Sequence, residues 1–361
     1  MTICVDARLL GPFGIGTYVK NILLHLKESS LALHALIHAK QLAFQELWDV
    51  IHPIVIEAPI YSVREQIELP RKIPKNALLW SPHYNIPLLF SGKRVTTIHD
   101  VRYLAFAHTL SWLQKIYAQQ MITRAFRKSH RVIVPSSFTR EELIKYMGTP
   151  SKSIQVIPLG VDPTTFSSKH RQEDGQLQKQ YGLFSPFILF VGDPGRWHKN
   201  LIGALRAVHI LHSKGRVFSL VITGKIADSL RAHLVQAFPN LRKNLHFLGS
   251  VEENHLPFLY RSAAMLLFPS YYEGFGLPPV EAMSCGCPVV AARAASLPEV
   301  CGDAALYTAP DQPEEMAKAV ELLLCDQGLR NTCIEKGWKR SEQFRWKATA
   351  EAHLRIFEEL I

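Results

Sequence analysis

Short runs of β-branched and aliphatic residues alternate with helical patterns along the chain, and the alternation occurs twice. In the first half the strand-like runs cover residues 2–7, 53–57, 77–81, 95–98, 132–135 and 154–157. In the second half they cover residues 187–192, 218–223, 245–248, 265–269 and 288–291. Strands that alternate with helices are typical of βαβ units, which assemble into parallel sheets. The sequence therefore predicts an α/β protein with two doubly wound, Rossmann-like domains.

The length of the chain agrees with two domains. Its 361 residues exceed the commonest size of one domain, and the polar stretch 167–180 resembles a linker. We expect a first domain over residues 1–170 and a second over residues 181–345. The amphipathic segment 346–361 is predicted to be a helix that docks at the domain junction. Because ligands bind outside the carboxyl ends of parallel strands, two facing sheets would form one ligand cleft.

Composition excludes a membrane-spanning chain. Hydrophobic residues make up 47% and charged residues 20% of the sequence, and no run approaches the roughly 18 uncharged apolar residues of a membrane span. The N-terminus lacks a basic segment followed by an apolar stretch, so we expect a cytoplasmic protein. The six cysteines form no CxxC pair and are predicted to be reduced and mostly buried.

The positive charge is concentrated in the first half. Residues 1–180 contain 22 Lys and Arg against 13 Asp and Glu, whereas residues 181–361 contain 19 against 18. One domain should therefore face an anionic partner. Nucleic acid is not the expected partner because the sequence contains no recognised reader motif.

One segment of the first half combines basic and apolar residues in a helical pattern. It spans residues 109–131 and interleaves Trp112, Ile116, Tyr117, Ile122 and Phe126 with Lys115, Arg124, Arg127, Lys128 and Arg131. Such a helix suits an anionic membrane surface at the inner face of the cytoplasmic membrane, or a lipid-linked acceptor. It is equally typical of a domain helix whose apolar face packs inward, and both interpretations remain open.

A glycine-rich loop follows the first predicted strand and leads into a helix. It reads Gly11-Pro12-Phe13-Gly14-Ile15-Gly16. Glycines let the backbone approach an anion closely, and the start of a helix presents N–H groups to it. The loop lacks the third glycine of a dinucleotide fingerprint, so a plain tight turn explains it as well as an anion site does.

A second candidate anion site follows the strand-like run 187–192. The segment reads Asp193-Pro194-Gly195-Arg196-Trp197-His198-Lys199-Asn200 and enters a helix. Arg196 offers a fork of donors and Lys199 a point charge where a helix already favours anions. A diphosphate is the ligand that this pattern predicts, and a solvated capping turn is the alternative.

The most informative motif follows the run 265–269. It reads Ser270-Tyr271-Tyr272-Glu273-Gly274-Phe275-Gly276-Leu277-Pro278-Pro279-Val280-Glu281. Glu273 is predicted to lie in the loop and Glu281 inside the following helix, so the two carboxylates occupy different layers of one site. Gly274 and Gly276 leave backbone N–H groups open for sugar hydroxyls or a phosphate.

Most of the 16 histidines are expected to be structural. His99 is the exception, because it stands at the end of a predicted strand with Asp100 beside it. The pairs His34/His38 and His209/His212 have helical spacing without a third ligand, so neither predicts a metal site.

Taken together, these motifs resemble the retaining glycosyltransferases of the GT-B fold, family 4. The resemblance rests on Glu273 and Glu281 with their Glu-Gly-Phe-Gly-Leu core, on Val191-Gly192, Arg196 and His198-Lys199-Asn200, and on Ile157-Pro158-Leu159-Gly160-Val161-Asp162. Two further motifs, Asp6-Ala7-Arg8 with Gly14-Ile15-Gly16-Thr17-Tyr18 and His99-Asp100, resemble the bacterial mannosyltransferase branch. The resemblance extends from about residue 3 to residue 348.

The resemblance implies that the first domain lies on the acceptor side and that the second binds the nucleotide sugar, and it implies a role for each candidate residue. Glu281 would hold the ribose of a nucleotide sugar, and Arg196 and Lys199 its diphosphate. The sugar would be held by Glu273 with the backbone around Gly274, Phe275, Gly276 and Leu277. From the first domain, His99 would lie beside the reacting centre, and Gly14 and Gly16 would close over the phosphates. The implied catalytic set is His99, Arg196, Lys199 and Glu273.

These roles predict a reaction without metal or other cofactor. Breaking the anomeric bond places extra negative charge on the departing diphosphate, and Arg196 and Lys199 can stabilise it as magnesium often does. The sequence also offers no DxD pair at a strand end. We favour transfer on the same face of the sugar, with double displacement as the alternative.

The expected donor is GDP-mannose, and the expected acceptor is a saccharide or lipid-linked saccharide of cell-envelope polysaccharide or lipopolysaccharide synthesis. The donor rests on the mannosyltransferase resemblance. Alternatives are a UDP-sugar donor, a sugar-nucleotide epimerase or phosphorylase on the same plan, and a regulator that only binds sugar nucleotides. The base pocket is expected near Gly249, Ser250 and Val251.

Overall fold

The chain folds into two compact units. The first contains residues 1–160 and 346–361, and the second contains residues 161–345. The structure is a computed structural model that describes residues 2–12, 14–149, 154–183 and 186–361.

The first unit alternates strands and helices, as the sequence predicts. Its strands are β1 (Thr2–Asp6), β2 (Ala32–Ile37), β3 (His52–Val55), β4 (Leu78–Ser81), β5 (Arg94–Thr97), β6 (Arg131–Val134) and β7 (Ile154–Val156). Its helices up to this point are α1 (Ile15–Leu26), α2 (Gln45–Trp48), α3 (Val63–Lys72), α4 (Arg102–Ala105), α5 (Trp112–Lys128) and α6 (Ser137–Met147). Strand β2 was not predicted, because its Ala and Leu residues favour helix. Pairing with β1 and β3 overrides that preference.

All described strands of the first unit form one parallel sheet. Their order is β3-β2-β1-β4-β5-β6-β7. Successive strands are added on one side of β1 up to β3 and on its other side from β4 onward, and β1 and β4 pair in parallel with Val5 opposite Trp80. Such a reversal of strand order is a topological switch point, where the loops that follow the two strands leave a crevice for ligands.

The second unit repeats this plan. Its strands are β8 (Phe187–Phe190), β9 (Ser219–Thr223), β10 (Leu245–Gly249), β11 (Met265–Phe268), β12 (Val289–Ala292) and β13 (Ala305–Thr308). Its helices are α7 (Asp174–Tyr181), α8 (Leu201–Ser213), α9 (Asp228–Ala237), α10 (Leu256–Ser262), α11 (Leu277–Ser284), α12 (Leu297–Cys301), α13 (Pro313–Cys325) and α14 (Gln327–Ser341). Only β13 was missed among these strands.

The sheet of the second unit is also parallel, in the order β10-β9-β8-β11-β12-β13. Its switch point lies between β8 and β11. Strands β8, β11 and β12 are buried along their whole length, which explains why their sequences are continuous apolar runs. The predicted fold class, two doubly wound Rossmann-like domains, is confirmed.

The chain enters the second unit earlier than the sequence suggested. The first unit ends at Gly160, whereas we expected its limit at residue 170. Residues 167–180, expected to be a linker, include part of α7. Asp174 forms an ion pair with Arg261, and Ser284 Oγ donates a hydrogen bond of 2.6 Å to the carbonyl of Phe166. These polar contacts attach the segment to the second unit, and composition alone does not show them.

The last helix, α15 (Trp346–Leu360), returns to the first unit. Its His353 and Phe357 are fully buried. Tyr18 of α1 shares a hydrogen bond of 2.5 Å with His353 Nε2, and the rings of Trp80 and Phe357 lie 5.6 Å apart. The first unit is therefore built from both ends of the chain.

The described helices and cysteines agree with the compositional analysis. None of these helices is long and apolar enough to cross a membrane. Five of the six cysteines are buried, and only Cys325 is exposed.

Candidate active site

Two loops meet at the switch point of the second unit. One follows β8 and carries Arg196 and Lys199, and the other follows β11 and carries Glu273. Because β8 and β11 are neighbours, the carboxyl ends of both strands deliver these loops to the same edge of the sheet. This adjacency brings together residues that are 74 positions apart in the sequence.

Lys199 and Glu273 form the central contact. Lys199 Nζ lies 2.7 Å from Glu273 Oε1, and the two side chains are only 16% and 14% exposed. The ammonium group also lies 5.4 Å from the ring centroid of Phe268, the last residue of β11. A Cβ atom on Gly192 would lie 3.4 Å from Lys199 Cδ, so a larger residue there would crowd the lysine. The two loops thus hold a cation and a carboxylate in adjacent positions.

Arg196 occupies a different environment. Its Nε pairs with Asp193 Oδ2 of the same loop at 3.1 Å, and both side chains are about half exposed, at 57% and 47%. The structure does not join Arg196 to the pair of Lys199 and Glu273. An exposed guanidinium remains available to an anion that reaches this loop.

Asn200 fastens three loops of the second unit together. Its backbone has a left-handed φ of 58°, and its side-chain oxygen accepts the N–H of Gly203 at 3.1 Å, which caps α8. Its amide nitrogen donates to the carbonyls of Pro269 and Pro310. The loops after β8, β11 and β13 are therefore held by one side chain. The sequence indicated Asn200 as part of a motif but not this bridging role.

Ser296 holds the loop that carries Glu273 through hydrogen bonds to its backbone. This buried hydroxyl lies 2.9 Å from the carbonyl oxygens of both Glu273 and Phe275. The neighbouring Ala295 has a positive φ of 53°, a strained conformation for a residue with a Cβ. Sequence reasoning missed Ser296, since nothing local in the sequence links it to a loop more than twenty positions earlier.

Gly276 starts helix α11 in a conformation that requires glycine. Its φ is 90°, and a Cβ there would lie 2.7 Å from Leu297 Cδ2. Pro278 and Pro279 carry no amide hydrogen, so the N–H groups at the start of α11 belong to Leu277 and its predecessors. Gly274, Phe275, Gly276 and Leu277 therefore form the stretch whose backbone can serve a sugar or a phosphate.

Glu281 lies inside α11 and is 8% exposed. Its Oε2 accepts a hydrogen bond of 2.8 Å from the hydroxyl of Tyr260 on α10. Burial raises the pKa of Glu281 from 4.5 to about 7, with the Glu253 carboxylate adding to the effect. A buried carboxylate of this kind is suited to accept two hydrogen bonds from a diol, which would also stabilise its charged form.

The segment after β10 lies close to this carboxylate. Its Glu253 is near enough to raise the pKa of Glu281. A cavity of about 360 Å³ lies at the carboxyl ends of β9 and β10 and is lined by Lys225, Ile226, Asp228, Arg231, Phe247, Leu248 and Gly249. Gly249, where the sequence suggested a base pocket, lines this cavity, and Glu253 follows it by four positions.

In the first unit, the glycine-rich loop follows β1 and leads into α1. Gly14 precedes the helix with a φ of 58°. A Cβ on Gly16 would lie 2.5 Å from the backbone nitrogen and oxygen of Gly11, so the fold of the loop itself requires this glycine. Phe13 lies outside the described residues. The turn interpretation explains Gly16, and the amides at the start of α1 are compatible with an anion.

His99 follows β5 and is held by its neighbours. Its Nε2 lies 3.0 Å from the carbonyl of Pro82, and its ring meets Tyr18 edge-on at 4.7 Å. Burial lowers the pKa of His99 to about 4, so the ring is neutral at pH 7. Because a carbonyl can only accept, Nε2 carries the proton and Nδ1 is left as an acceptor.

Asp100 has a structural role. Its Oδ1 accepts the backbone N–H of Arg102 at 3.0 Å, at the start of α4. Elsewhere, no group of three His, Cys, Asp or Glu among the described residues is arranged to hold a metal ion.

Helix α5, which contains most of the basic and apolar segment, differs in burial between its two halves. Ile122 and Phe126 are buried in the core of the first unit, as in an ordinary domain helix. Trp112 and Ile116 are 69% and 49% exposed, and Tyr117 is 38% exposed. The first half of the helix therefore presents apolar side chains to solvent, while the second half packs inward.

Two Rossmann-like units, with candidate anion-binding and carboxylate groups at a switch point, have the architecture of GT-B glycosyltransferases. Residues 14–165 match the model of Glycosyltransferase Family 4, and residues 176–340 match that of Glycosyl transferases group 1. The chain belongs to this family. The predicted enzyme class, a glycosyltransferase, is therefore confirmed.

Curated relatives agree with the family. The chain is 28% identical over 317 residues to O-antigen chain mannosyltransferase B of Escherichia coli, covering 86% of this chain and 80% of the relative. It is 26% identical to O-antigen chain mannosyltransferase RfbU of Salmonella typhimurium, covering 73% of this chain and 69% of the relative.

Solved structures support the fold. Sucrose-phosphate synthase from Thermosynechococcus elongatus has a TM-score of 0.81 at 19% identity and covers 100% of this chain and 99% of its own. HepE of Anabaena in complex with UDP-glucose has a TM-score of 0.81 at 19% identity, with full coverage of both chains. The predicted GT-B fold is confirmed.

Proposed function

We propose that this glycosyltransferase transfers mannose from GDP-mannose to a saccharide or lipid-linked saccharide, in the synthesis of cell-envelope polysaccharide or lipopolysaccharide. The observation that carries the proposal is the contact between Lys199 and Glu273 at the switch point, 2.7 Å apart. It sets a cation for a diphosphate beside a carboxylate for sugar hydroxyls. Relatives named as O-antigen mannosyltransferases support the sugar and the class of product.

In the proposed complex each group meets one part of the donor. Lys199 and Arg196 bind the diphosphate, Glu281 accepts hydrogen bonds from the ribose diol, and Glu273 with the backbone of residues 274–277 binds the hexose. The base lies near Gly249, in the region whose Glu253 influences Glu281. The first residues of α1, at Gly14 and Gly16, contribute amides to the phosphates.

We propose transfer with retention, on the same face of the sugar. The bond between the anomeric carbon and the diphosphate oxygen breaks while the acceptor oxygen bonds to that carbon. The acceptor proton passes to the departing phosphate oxygen. Lys199 and Arg196 stabilise the charge that develops there, which lowers the barrier more than it stabilises the bound substrate.

His99 is proposed to hold a hydroxyl of the hexose. Its neutral ring offers Nδ1 as an acceptor, since Nε2 is engaged with the Pro82 carbonyl. A neutral acceptor suits the O–H of a sugar hydroxyl better than a charged imidazolium does, and the axial 2-hydroxyl is the group by which mannose differs from glucose. Turnover of the wrong epimer would then be about tenfold to a hundredfold slower.

The reaction is proposed to need no metal or other cofactor, because Arg196 and Lys199 supply the positive charge. Activity should then survive EDTA. Complete loss that magnesium or manganese restores would overturn this part of the proposal.

The protein is further proposed to work in the cytoplasm, at the inner face of the membrane. Exposed Lys115, Arg124, Arg127 and Lys128 on α5, with the exposed Trp112 and Ile116, suit an anionic lipid surface. A basic surface at this location would bring the enzyme to a lipid-linked acceptor.

Donor competition tests the function. We expect GDP-mannose to bind more tightly than UDP-glucose and UDP-N-acetylglucosamine and to support faster transfer, measured as release of nucleoside diphosphate in the presence of acceptor. Faster transfer from a UDP-sugar would refute the mannosyl assignment and leave the transferase class intact. An isomerised sugar nucleotide formed without acceptor would instead indicate an epimerase.

A further inference from the structure

A chain of buried polar groups crosses the interior of the first unit. Arg8 makes a two-point ion pair with Asp6, at 2.7 and 2.8 Å, and a second ion pair of 2.7 Å with Glu65. Glu65 accepts a hydrogen bond of 2.9 Å from the side-chain amide of Asn85. Asn85 in turn accepts the hydroxyl of Tyr117 at 2.9 Å. Arg8, Glu65 and Asn85 are at most 4% exposed.

Stability alone does not explain this buried network. Buried ion pairs lose hydration that their mutual attraction only partly replaces, and apolar residues of similar size are often as stable. Each side chain of this network has a hydrogen-bond or ion-pair partner within it, so each is held in one orientation. Its outer end is Tyr117, which is 38% exposed.

Tyr117 at that outer end is the first of three rings in a row, followed by Tyr61 and His83. The Tyr61 ring meets Tyr117 edge-on at 6.1 Å and His83 at 5.9 Å. Tyr61 is 51% exposed, and its hydroxyl lies 3.5 Å from His83 Nε2. Burial, helped by His99 nearby, lowers the pKa of His83 to about 3, so this ring is neutral. The three rings form a partly open wall of aromatic and hydroxyl groups.

Tyr61 is held in a strained conformation. Its φ is 67°, which is rare for a residue with a bulky side chain. Its backbone N–H donates to Glu65 Oε1 at 3.0 Å, the same atom that accepts from Asn85. Strain of this kind persists where surrounding contacts enforce it, and it is concentrated at functional sites. The buried network therefore positions the Tyr61 ring.

The wall stands at the switch point of the first sheet. Asp6 is the last residue of β1, and His83 follows the end of β4 at Ser81 by two positions. These strands are the neighbours between which strand order reverses. In open parallel sheets this is the place where ligands bind.

We propose that Tyr61, Tyr117 and His83 form the binding site for the acceptor, and that the acceptor group bound there is an uncharged pyranose. The inference rests on the proposed function, since it assigns the second substrate of the same transfer. Half-exposed aromatic rings match the C–H faces of a sugar ring, while hydroxyl groups and a neutral imidazole match its hydroxyls. Two carboxylates against one guanidinium leave the network behind the wall net negative, which disfavours a phosphate or a carboxylate.

Two substitutions remove the rings with little risk to folding. Tyr61→Gly deletes one ring, and because glycine suits the positive φ, relief of backbone strain offsets part of the packing that is lost, so this variant should fold. Tyr117→Leu deletes the second ring and keeps an apolar side chain, at the cost of one hydrogen bond to Asn85, so its folding is checked by thermal unfolding. Tyr146→Leu is the matched control, because Tyr146 is a 36% exposed tyrosine near the end of α6, a helix that runs back from the carboxyl edge of the sheet.

The measurements are acceptor KM, donor KM and saturation-transfer NMR, using methyl and octyl glycosides of mannose, galactose and N-acetylglucosamine. We expect each site variant to raise the KM of the best acceptor about tenfold, with donor KM unchanged and methyl-glycoside binding weakened. The control should match the wild type. An unchanged acceptor KM in a folded Tyr61→Gly variant would refute the site.

A rise in KM for octyl but not methyl glycosides would also refute it, because the wall would then bind an alkyl chain. Failure of the proposed function would give a different result from failure of this site. In that case the wild type transfers hexose to none of the six glycosides from any nucleotide sugar. The NMR comparison still decides the inference, since loss of methyl-glycoside binding in Tyr61→Gly supports the site without any turnover.

Discussion

Lys199 and Glu273 touch each other at 2.7 Å, although we propose that they bind different parts of the donor. Both are largely shielded from water, so each would be costly to leave without a partner. The mutual contact keeps both side chains in place until diphosphate and sugar hydroxyls replace it. Pairing of this kind prepares the site, because little reorganisation is needed when charge develops on the leaving group.

Replacement of Lys199 tests this arrangement. Lys199→Met keeps an apolar stem against Phe268 and removes the charge. We expect kcat/KM to fall about tenfold to a hundredfold, since a charge-assisted contact contributes about 1.5–3 kcal/mol. Steady-state kinetics on the folded variant measures it. Lys214→Met, an exposed lysine just after α8, is the control. Near-normal kcat/KM in Lys199→Met would remove Lys199 from the mechanism.

Glu281 should make stability fall as pH rises. Its folded pKa of about 7 exceeds the ordinary 4.5, so the native state binds a proton more tightly than the unfolded state. The stabilising effect is complete below pH 4.5 and is lost as pH rises through 7. Glu281→Gln should therefore gain stability relative to the wild type between pH 5 and pH 8, by up to about 3 kcal/mol. It should also weaken nucleotide binding.

Denaturant unfolding of both proteins at pH 5 and pH 8 measures the difference. A stability difference that is independent of pH would contradict the raised pKa of Glu281. Binding of GDP to Glu281→Gln, followed by calorimetry at pH 8, reports the function separately from stability.

At the scale of elements, Asn200 connects the start of α8 to the loops after β11 and β13. Asn200→Ala should lose about 2–4 kcal/mol, because it leaves buried carbonyls unsatisfied and places alanine at a positive φ. Asn200→Gly loses the same hydrogen bonds but tolerates the backbone. Glycine should therefore be the more stable of the two by about 1 kcal/mol. Equal stability of the two variants would show that the backbone conformation relaxes.

Helix α5 carries the expected contact with membrane. Its exposed apolar and basic side chains predict binding to vesicles that contain phosphatidylglycerol, decreasing as salt rises. Reversal of Arg124, Arg127 and Lys128 to Glu should abolish most of this binding in co-sedimentation. The control reverses Arg71, Lys72 and Lys75, which are also exposed and change the net charge equally. Equal losses in both variants would indicate a general charge effect and not a surface on α5.

At the scale of the whole molecule, the first unit depends on the end of the chain. Phe357 of α15 is fully buried against Trp80, so Phe357→Ala should destabilise this unit by about 3–5 kcal/mol. Hydrogen exchange should accelerate in β1, β4 and β5 while the strands of the second unit stay protected. Glu358→Ala, an exposed neighbour on the same helix, is the control. Equal acceleration in both units would mean that they unfold together.

Much of the fold was predictable from local patterns. A strand buried on both faces is mostly apolar, so β1, β4, β8 and β11 are visible as runs in the sequence. Strand β2 was missed because its residues favour helix, and the short β13 gave little signal. The attachment of residues 161–170 to the second unit depends on hydrogen bonds to α10 and α11, which no local pattern encodes.

The candidate site shows the same division. Motifs near strand ends indicated Lys199, Glu273 and Glu281 by sequence alone, because the residue types of a loop determine which chemical groups it can offer. Their partners depend on tertiary structure. Strand order places β8 beside β11 and so joins Lys199 to Glu273, α10 supplies Tyr260 to Glu281, and the turn after β12 brings Ser296 under the loop. Sequence determined which groups were available, and sheet topology decided which of them meet, since contacts between distant residues arise only when strands pair.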